Sequence, residues 1–304
     1  MAAPLVLVAG SLHYDVVVEA ERLPALDETL PGQGVRYLCG GKGGNQAIAA
    51  ARHGAATAFA GAVGDDASGR TLLANLEAAG VDCAQVAVLA AESSGMSVAI
   101  VTQEGDYGAV IVSAANLATE AEAIEIPAGL RFLLLQNEIP EEANALLARK
   151  ARAAGAKVVL NAAPARPFES DLLSLVDILI VNRPEAAAIA GRLLQTVGDA
   201  IDAATELSSR ARDAIVTLGG EGAVLAPAGA EARHRAAYEV DIHSTHGAGD
   251  AFVGALAARL ASDEGLGGAL DYAQAAAALH VSRTPEQRER ISPEDVATLR
   301  EAAI

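Results

Sequence analysis

The sequence predicts an α/β fold built on a mostly parallel sheet, with a small β cover to one side. Short continuous apolar runs recur at 5–9, 132–135, 158–160, 178–181 and 214–218, most of them followed by a turn or helix signal. Continuous rather than alternating apolarity marks strands buried on both faces, as in a parallel sheet between helices. A hairpin pattern, 96–101 and 107–112 around Gln103-Glu104-Gly105-Asp106, breaks this βα rhythm. With extended pieces near Val16 and Val35 it makes up the cover. The chain has 304 residues, 52% of them hydrophobic, which is ample for a large core in one domain or two. Aromatics are 3% and Trp is absent, so Ala, Val, Leu and Ile must pack with helices lying close.

The first strand, 5–9, ends in Gly10-Ser11, and the chain continues extended through Val16-Val17-Val18. His13 and Asp15 alternate with Tyr14 and Val16 and so share one face; loop polarity accounts for the pair equally well. Pro24, Pro31 and Gly32 mark turns before an extended piece at 34–38. Gly40-Gly41-Lys42-Gly43-Gly44-Asn45-Gln46 then leads into a helix of small residues, with Gly54 at C′. This is not a Walker A loop, because Arg36 stands where the leading glycine belongs and Gly43 follows the lysine. Nor is it G-x-G-x-x-G, whose sixth position is Gln46 here. Such a loop suits close approach of a neutral ligand; helix-on-sheet packing explains some of the glycines but not Asn45.

A strand at 59–63 and a helix at 68–79, stopped by Gly80, continue the order. Gln136-Asn137-Glu138 stands at the C-terminal end of the 132–135 strand, the edge where open α/β sheets bind ligands. Strand-end acids also cap helices, and a helix at 141–154 follows. Strands 158–160 and 178–181 end in Asn161 and Asn182. Asn182-Arg183-Pro184-Glu185 is good helix-start grammar. It also offers a water-mediated perch for Mg²⁺, which keeps most of its own waters. After 214–218, Gly219-Gly220-Glu221-Gly222 turns into 223–226, and extended pieces lie near Arg233 and Tyr238. Helices at 270–281 and 293–303 close the chain.

Between them lies the densest signal, S-T-H-G-A-G-D-A-F-V-G-A-L-A-A-R-L at 244–260. Val253, Leu256, Ala257 and Leu260 predict a helix with one apolar face, with Asp250 in its first turn. Gly247 and Gly249 bare the backbone, so several N–H groups can converge on an anion beside a carboxylate able to take a proton. That is what phosphoryl transfer needs. On its own, Asp250 reads equally as the N-terminal acid of a surface helix.

A net charge of −17 argues against nucleic acid and leaves anions to be held by helix N-termini and Mg²⁺. No apolar run is long enough to span a membrane. Met1-Ala2-Ala3-Pro4 lacks a basic n-region, so a soluble cytoplasmic protein is expected. Cys39 and Cys83 lack metal-type spacing and are expected to be free thiols.

Taken together, G-S-L-H-Y-D at 10–15, G-G-K-G-G-N-Q-A at 40–47, Q-N-E at 136–138, N-R-P-E at 182–185, T-L-G at 217–219 and G-A-G-D at 247–250 resemble the ribokinase-like (pfkB) carbohydrate kinases over essentially the whole chain. The resemblance implies a three-layer sandwich, a central mostly parallel sheet between helices, within one domain spanning 1–304. A small β lid from about 13–38 and 95–113 would cover the sugar. It implies ATP-dependent phosphorylation of a sugar's primary hydroxyl. Asp250 would be the general base, and the amides of Gly247, Ala248 and Gly249 the anion hole. His13, Asp15, Gly41, Lys42, Asn45 and Glu138 would bind the sugar. Asn182 and Glu185 would position Mg²⁺ through water, and Asn182, Thr217, Gly219, Gly222 and Gly249 would lie along ATP. Partners are then small molecules, and the exposed lid edge suits a homodimer.

Two positions depart from the family. His13 replaces an Asn of the first motif, and a neutral imidazole offers its donor and acceptor elsewhere than an amide does. Ser244 stands where an aspartate would bind a monovalent cation, so weak K⁺ dependence is expected. Rival readings are a nucleoside kinase of the same fold and a catalytically silent sugar binder; intact Asp250 weighs against the latter. A Ser244–His246–Asp250 triad is opposed by the tight turn and the absence of a G-x-S-x-G elbow. Zinc at His243, His246 and Asp250 lacks helical ligand spacing.

Overall fold

The computed structural model describes residues 3–102, 104 and 107–302. Its strands are β1 (Val6–Ala9), β2 (His13–Ala20), β3 (Gly34–Gly40), β4 (Thr57–Gly64), β5 (Asp82–Leu89), β6 (Met96–Thr102), β7 (Tyr107–Val112), β8 (Phe132–Gln136), β9 (Lys157–Asn161), β10 (Ile178–Asn182), β11 (Asp213–Thr217), β12 (Ala223–Ala226) and β13 (Arg233–Arg235). Its helices are α1 (Lys42–Arg52), α2 (Ala67–Ala78), α3 (Glu141–Ala153), α4 (Arg183–Ala190), α5 (Val197–Ser208), α6 (Ala248–Ala261), α7 (Leu266–Ser282), α8 (Pro285–Arg288) and α9 (Pro293–Ala302).

The main sheet runs β13-β12-β11-β10-β9-β8-β1-β4-β5. From β11 to β5 every pairing is parallel, while β12 and β13 are antiparallel additions. The chain steps outward from β1 to β4 and β5, then restarts at β8 on the other side of β1. The winding therefore reverses between β1 and β8, and a crevice opens past their C-terminal ends. Gly10 and Gln136 meet there so closely that a Cβ on Gly10 would lie 1.9 Å from Gln136 Oε1.

Alternate strand residues feed two cores, which is what makes three layers. Leu7, Leu133, Leu135, Leu160 and Val181 pack against Leu147 and Ala151 of α3 and Ala204 and Leu207 of α5. Val6, Val8, Leu134, Val159 and Ile180 face the opposite way, toward Ala47 and Ala50 of α1, Val253 and Leu256 of α6 and Ala273 of α7. Helix α6 is buried on nearly all sides, in 11 of its 14 residues, where a single apolar stripe was expected. The difference arises because α1, α7 and the sheet enclose it together. Small residues permit this: a Cβ on Gly254 would lie 2.4 Å from Ala49 Cβ and 2.6 Å from the Gln46 carbonyl. Helix α6 is thereby locked to the body of α1.

The cover is a second sheet, β3-β2-β6-β7. β2 pairs antiparallel with β3 and parallel with β6, and β6 pairs antiparallel with β7. Of the expected hairpin turn, Gln103, Gly105 and Asp106 lie outside the described residues, as does Ala303 of the last helix. Val35, Tyr37, Val110 and Ile111 are exposed apolar residues on this sheet. Strand β5 and helix α5 were not anticipated. β5 is a half-buried edge strand with little apolar contrast, and α5 owes its start to a Thr196–Asp199 capping box rather than to a long apolar run. No strand forms at Tyr238. Among the described residues no helix is long and apolar enough to cross a membrane, and Cys39 and Cys83 are free.

Candidate active site

The glycine loop sits directly on the chain leaving β1. Gly41 caps α1 at φ 91°, and a Cβ there would lie 2.7 Å from the Ser11 carbonyl and 2.8 Å from the His13 nitrogen. Gly43 is as tight, its Cβ position 2.7 Å from the Ser11 nitrogen, and the Gly44 N–H donates to the Ser11 carbonyl at 3.0 Å. Close packing therefore explains these glycines, and the helix start they permit aims the loop's amides and side chains into the crevice.

Glu138 is the first hub. Its Oε2 accepts from the Ser11 hydroxyl and, at 2.9 Å, from the backbone N–H of Lys42. His13 Nδ1 is 3.9 Å from the same oxygen. The imidazole is 4% exposed, and its Nε2 has no protein partner among the described residues. Asn116 holds the segment in place through paired 2.9 Å bonds to both backbone groups of Leu12. Asp15 accepts from the Ser97 hydroxyl, and its Oδ2 occupies the space a side chain on Gly40 would need. Burial raises the Asp15 pKa, with the Ser97 bond opposing.

Asp250 is the second hub. It lies in the first turn of α6, whose cap Gly247 adopts φ 76° with no side-chain capping bond. Its Oδ1 accepts from Gln46 Nε2 at 3.0 Å and its Oδ2 from Asn45 Nδ2 at 3.1 Å. Gln46 is itself held, donating to Asn161 Oδ1 at 3.0 Å and accepting from Gln136 Nε2 at 2.9 Å. Burial pushes the Asp250 pKa up, the nearby Lys42 charge and the two amide donors oppose this, and Glu138 adds to the rise. A raised carboxylate is a stronger proton acceptor. Beside it, the Ala248 N–H reaches the Thr245 carbonyl at 3.2 Å. Among the described residues the N–H groups of Gly247 and Gly249 have no protein partner. Space is open around Gly249, where a Cβ would meet nothing within 4 Å. The positive end of a helix thus faces open space next to a base.

Asn182 and Glu185 form a capping box at the start of α4, with bonds of 2.8 Å in each direction. Glu185 is buried and its pKa raised for that reason; it also feels the charges of Lys42 and Asp250. Lys42 is therefore shared electrostatically between Asp250 and Glu185. Thr217 is in register with Asn182 and donates to the Val181 carbonyl at 3.4 Å. Gly219 follows at φ 61° in open space, whereas Gly222 is wedged with its Cβ position 1.9 Å from the Arg235 carbonyl. These three make no hydrogen bond to the Asp250 hub; Thr217 lies on the same sheet edge, and Gly219 and Gly222 in the turn beyond it. A cavity of about 600 Å³ beside β5, lined by Gln85, Glu120 and Pro127, contains none of these groups.

Hydrolase and zinc geometries do not form. Ser244 Oγ faces the His246 N–H at 3.3 Å. Among the described residues no three His, Cys, Asp or Glu side chains gather to hold a metal. Ser11, Gln46, Asn116, Gln136 and Asn161 are the supporting groups absent from the expected set. The polar residue ending each of β8 and β9 was the available signal.

The pfkB family carbohydrate kinase model matches residues 3–289. The ribokinase of Haemophilus influenzae is 33% identical over 287 residues, covering 92% of this chain and 93% of its own. That of Bacillus subtilis is 33% identical over 280 residues, covering 91% and 92%. The structure of Arabidopsis thaliana ribokinase complexed with ribose and ATP superposes with a TM-score of 0.90 at 28% identity, covering 98% of this chain and 99% of that one. With the switch-point crevice, these matches give one answer: the chain belongs to the pfkB family of carbohydrate kinases, phosphotransferases that act on an alcohol group.

Proposed function

We propose that the whole chain works as one kinase unit, transferring the γ-phosphoryl group of ATP to a primary hydroxyl of ribose or a closely related sugar. The observation that carries this reading is the pairing of Asp250, buried and raised in pKa, with unpartnered amides at the start of α6. Asp250 takes the proton of the attacking hydroxyl. The amides of Gly247, Ala248 and Gly249 stabilise charge on the transferred group, Ala248 exchanging its Thr245 contact for the anion. Asn45 and Gln46 hold the carboxylate in line with the acceptor, and Lys42 adds positive charge between Asp250 and Glu185. His13, Asp15, Gly41 and Glu138 bind the sugar from the β1 and lid side. Closure of the second sheet excludes water, a competing acceptor.

The donor set suits Mg²⁺. Glu185 and Asn182 place a carboxylate and a carboxamide together in the capping box, which fits an ion that keeps its waters and takes other ligands from phosphates. When bound, Mg²⁺ would neutralise nucleotide charge and orient the phosphates. Thr217, Gly219 and Gly222 line the nucleotide's path along the β11 edge.

The test is an ADP-release screen with Mg-ATP across pentoses, hexoses and nucleosides. Rates highest on ribose or a close pentose support the reading. Highest rates on nucleosides, or none on any acceptor while ATP binds, contradict it.

A further inference from the structure

One guanidinium binds the turn that presents the anion-hole amides at two carbonyls. Arg288, at the end of α8, donates from Nη2 to the Ser244 carbonyl at 2.7 Å and from Nη1 to the His246 carbonyl at 3.2 Å. Its Nε reaches the carbonyls of His280 at 2.8 Å and Arg283 at 3.1 Å. Among the described residues no carboxylate forms an ion pair with it. Arg288 is thus a cation ligated by main-chain oxygens alone, two from the turn before Gly247 and two from the C-terminal end of α7. The α7 carbonyls there carry the negative end of a helix dipole, which favours a cation.

The same turn is tied down at two further points. His280 Nε2 donates to the His246 carbonyl at 2.9 Å, and the N–H groups of His243 and Ser244 both reach the Val281 carbonyl, at 2.8 and 3.1 Å. Gly247 follows at φ 76°, its Cβ position 3.1 Å from His280 Nε2. Without the guanidinium, the Ser244 carbonyl would lose its Arg288 donor and the His246 carbonyl would keep only His280, so the turn leading into α6 would be held less firmly.

From this geometry we infer that Arg288 is a tethered cation that orders the Ser244–Gly247 turn and so positions the anion-hole amides, making turnover independent of any added monovalent cation. It is a positioning residue, acting through the turn. The inference rests on the kinase reading for its catalytic consequence and gives a physical reason for the weak K⁺ dependence expected from Ser244.

The test compares the full chain with Arg288→Ala and Arg288→Lys, each assayed in Na⁺, in K⁺ and with millimolar guanidinium chloride. The parent is expected to respond to none of the three. Arg288→Ala is expected to lose kcat by about 10²-fold, the scale of a displaced catalytic group. Its KM values should stay within about threefold, because the interaction lost is felt mainly in the transition state. K⁺ or guanidinium should restore at least part of that kcat, and Arg288→Lys should fall between parent and Ala variant. Amide hydrogen exchange over residues 244–252 should quicken in Arg288→Ala and slow again with guanidinium. Strong K⁺ activation of the parent, or a kcat loss that neither cation restores and Lys does not lessen, overturns the inference. So does unchanged exchange. If the parent phosphorylates no acceptor, the kinase reading fails, and the exchange measurement still decides the role of Arg288.

Discussion

Gln46 Nε2 stands 3.0 Å from Asp250 Oδ1, so the helix of the glycine loop grips the carboxylate of α6 directly. The same nitrogen lies 3.0 Å from Asn161 Oδ1, and Gln46 Oε1 accepts from Gln136 at 2.9 Å. One buried amide thus ties the Asp250 carboxylate to the ends of β8 and β9. Networks of this kind set both geometry and charge state.

Gln46→Leu removes a donor that favours the charged form of Asp250. The Asp250 pKa should rise further, so the acid limb of the kcat–pH profile should move to higher pH and kcat should fall. Steady-state kinetics across pH checks this; a profile with an unmoved acid limb would remove Gln46 from the account.

His13 is buried, its Nε2 has no protein partner among the described residues and its Nδ1 lies 3.9 Å from Glu138, which leaves hydrogen-bonding capacity for the sugar of the proposed reaction. His13→Asn should change the ratio of kcat/KM for ribose against 2-deoxyribose by about tenfold or more, because buried polar groups discriminate strongly between a hydroxyl and its absence. An unchanged ratio would show that His13 only fills space.

The motif set was legible because its chemistry is local. Asp250 in a helix's first turn and the Asn182–Glu185 start are each written in a few consecutive residues, whereas the 40–46 stretch, read as a loop ahead of a helix, already starts α1 at Lys42. Gln46, Gln136 and Asn161 were not assigned roles, since strand-end amides gain meaning only when β8, β9 and α1 are brought together. Arg288 was passed over for the same reason: two of its partners, Ser244 and His246, lie 44 and 42 residues away along the chain. The apolar face expected of α6 was too narrow because periodicity cannot foresee enclosure by α1 and α7. The glycines at 40, 41, 43 and 44, partly read as ligand access, are required by packing, Gly41 and Gly43 on the backbone of 10–13, Gly40 on Asp15 and Gly44 on Leu12.

Stability should carry the mark of the buried Asp250 carboxyl. The folded-state pKa of Asp250 lies above 3.8, so the folded protein binds its proton more tightly than the unfolded chain. Stability attributable to this group therefore falls as pH rises from 3.8 through the folded-state pKa and stays lower beyond it. Thermal unfolding of Asp250→Asn and the parent at a series of pH values should show the Tm difference moving in favour of the variant as pH rises. A difference that moves the other way would mean that Asp250 is stabilised, not strained, by its surroundings.

The most direct measurement is kcat of Asp250→Asn with Mg-ATP and the best acceptor from the sugar screen. With the amides of Gly247–Gly249 intact and only the base removed, kcat should fall by about 10²–10⁴-fold, with ATP binding retained. A kcat within a few-fold of the parent would contradict proton abstraction by Asp250.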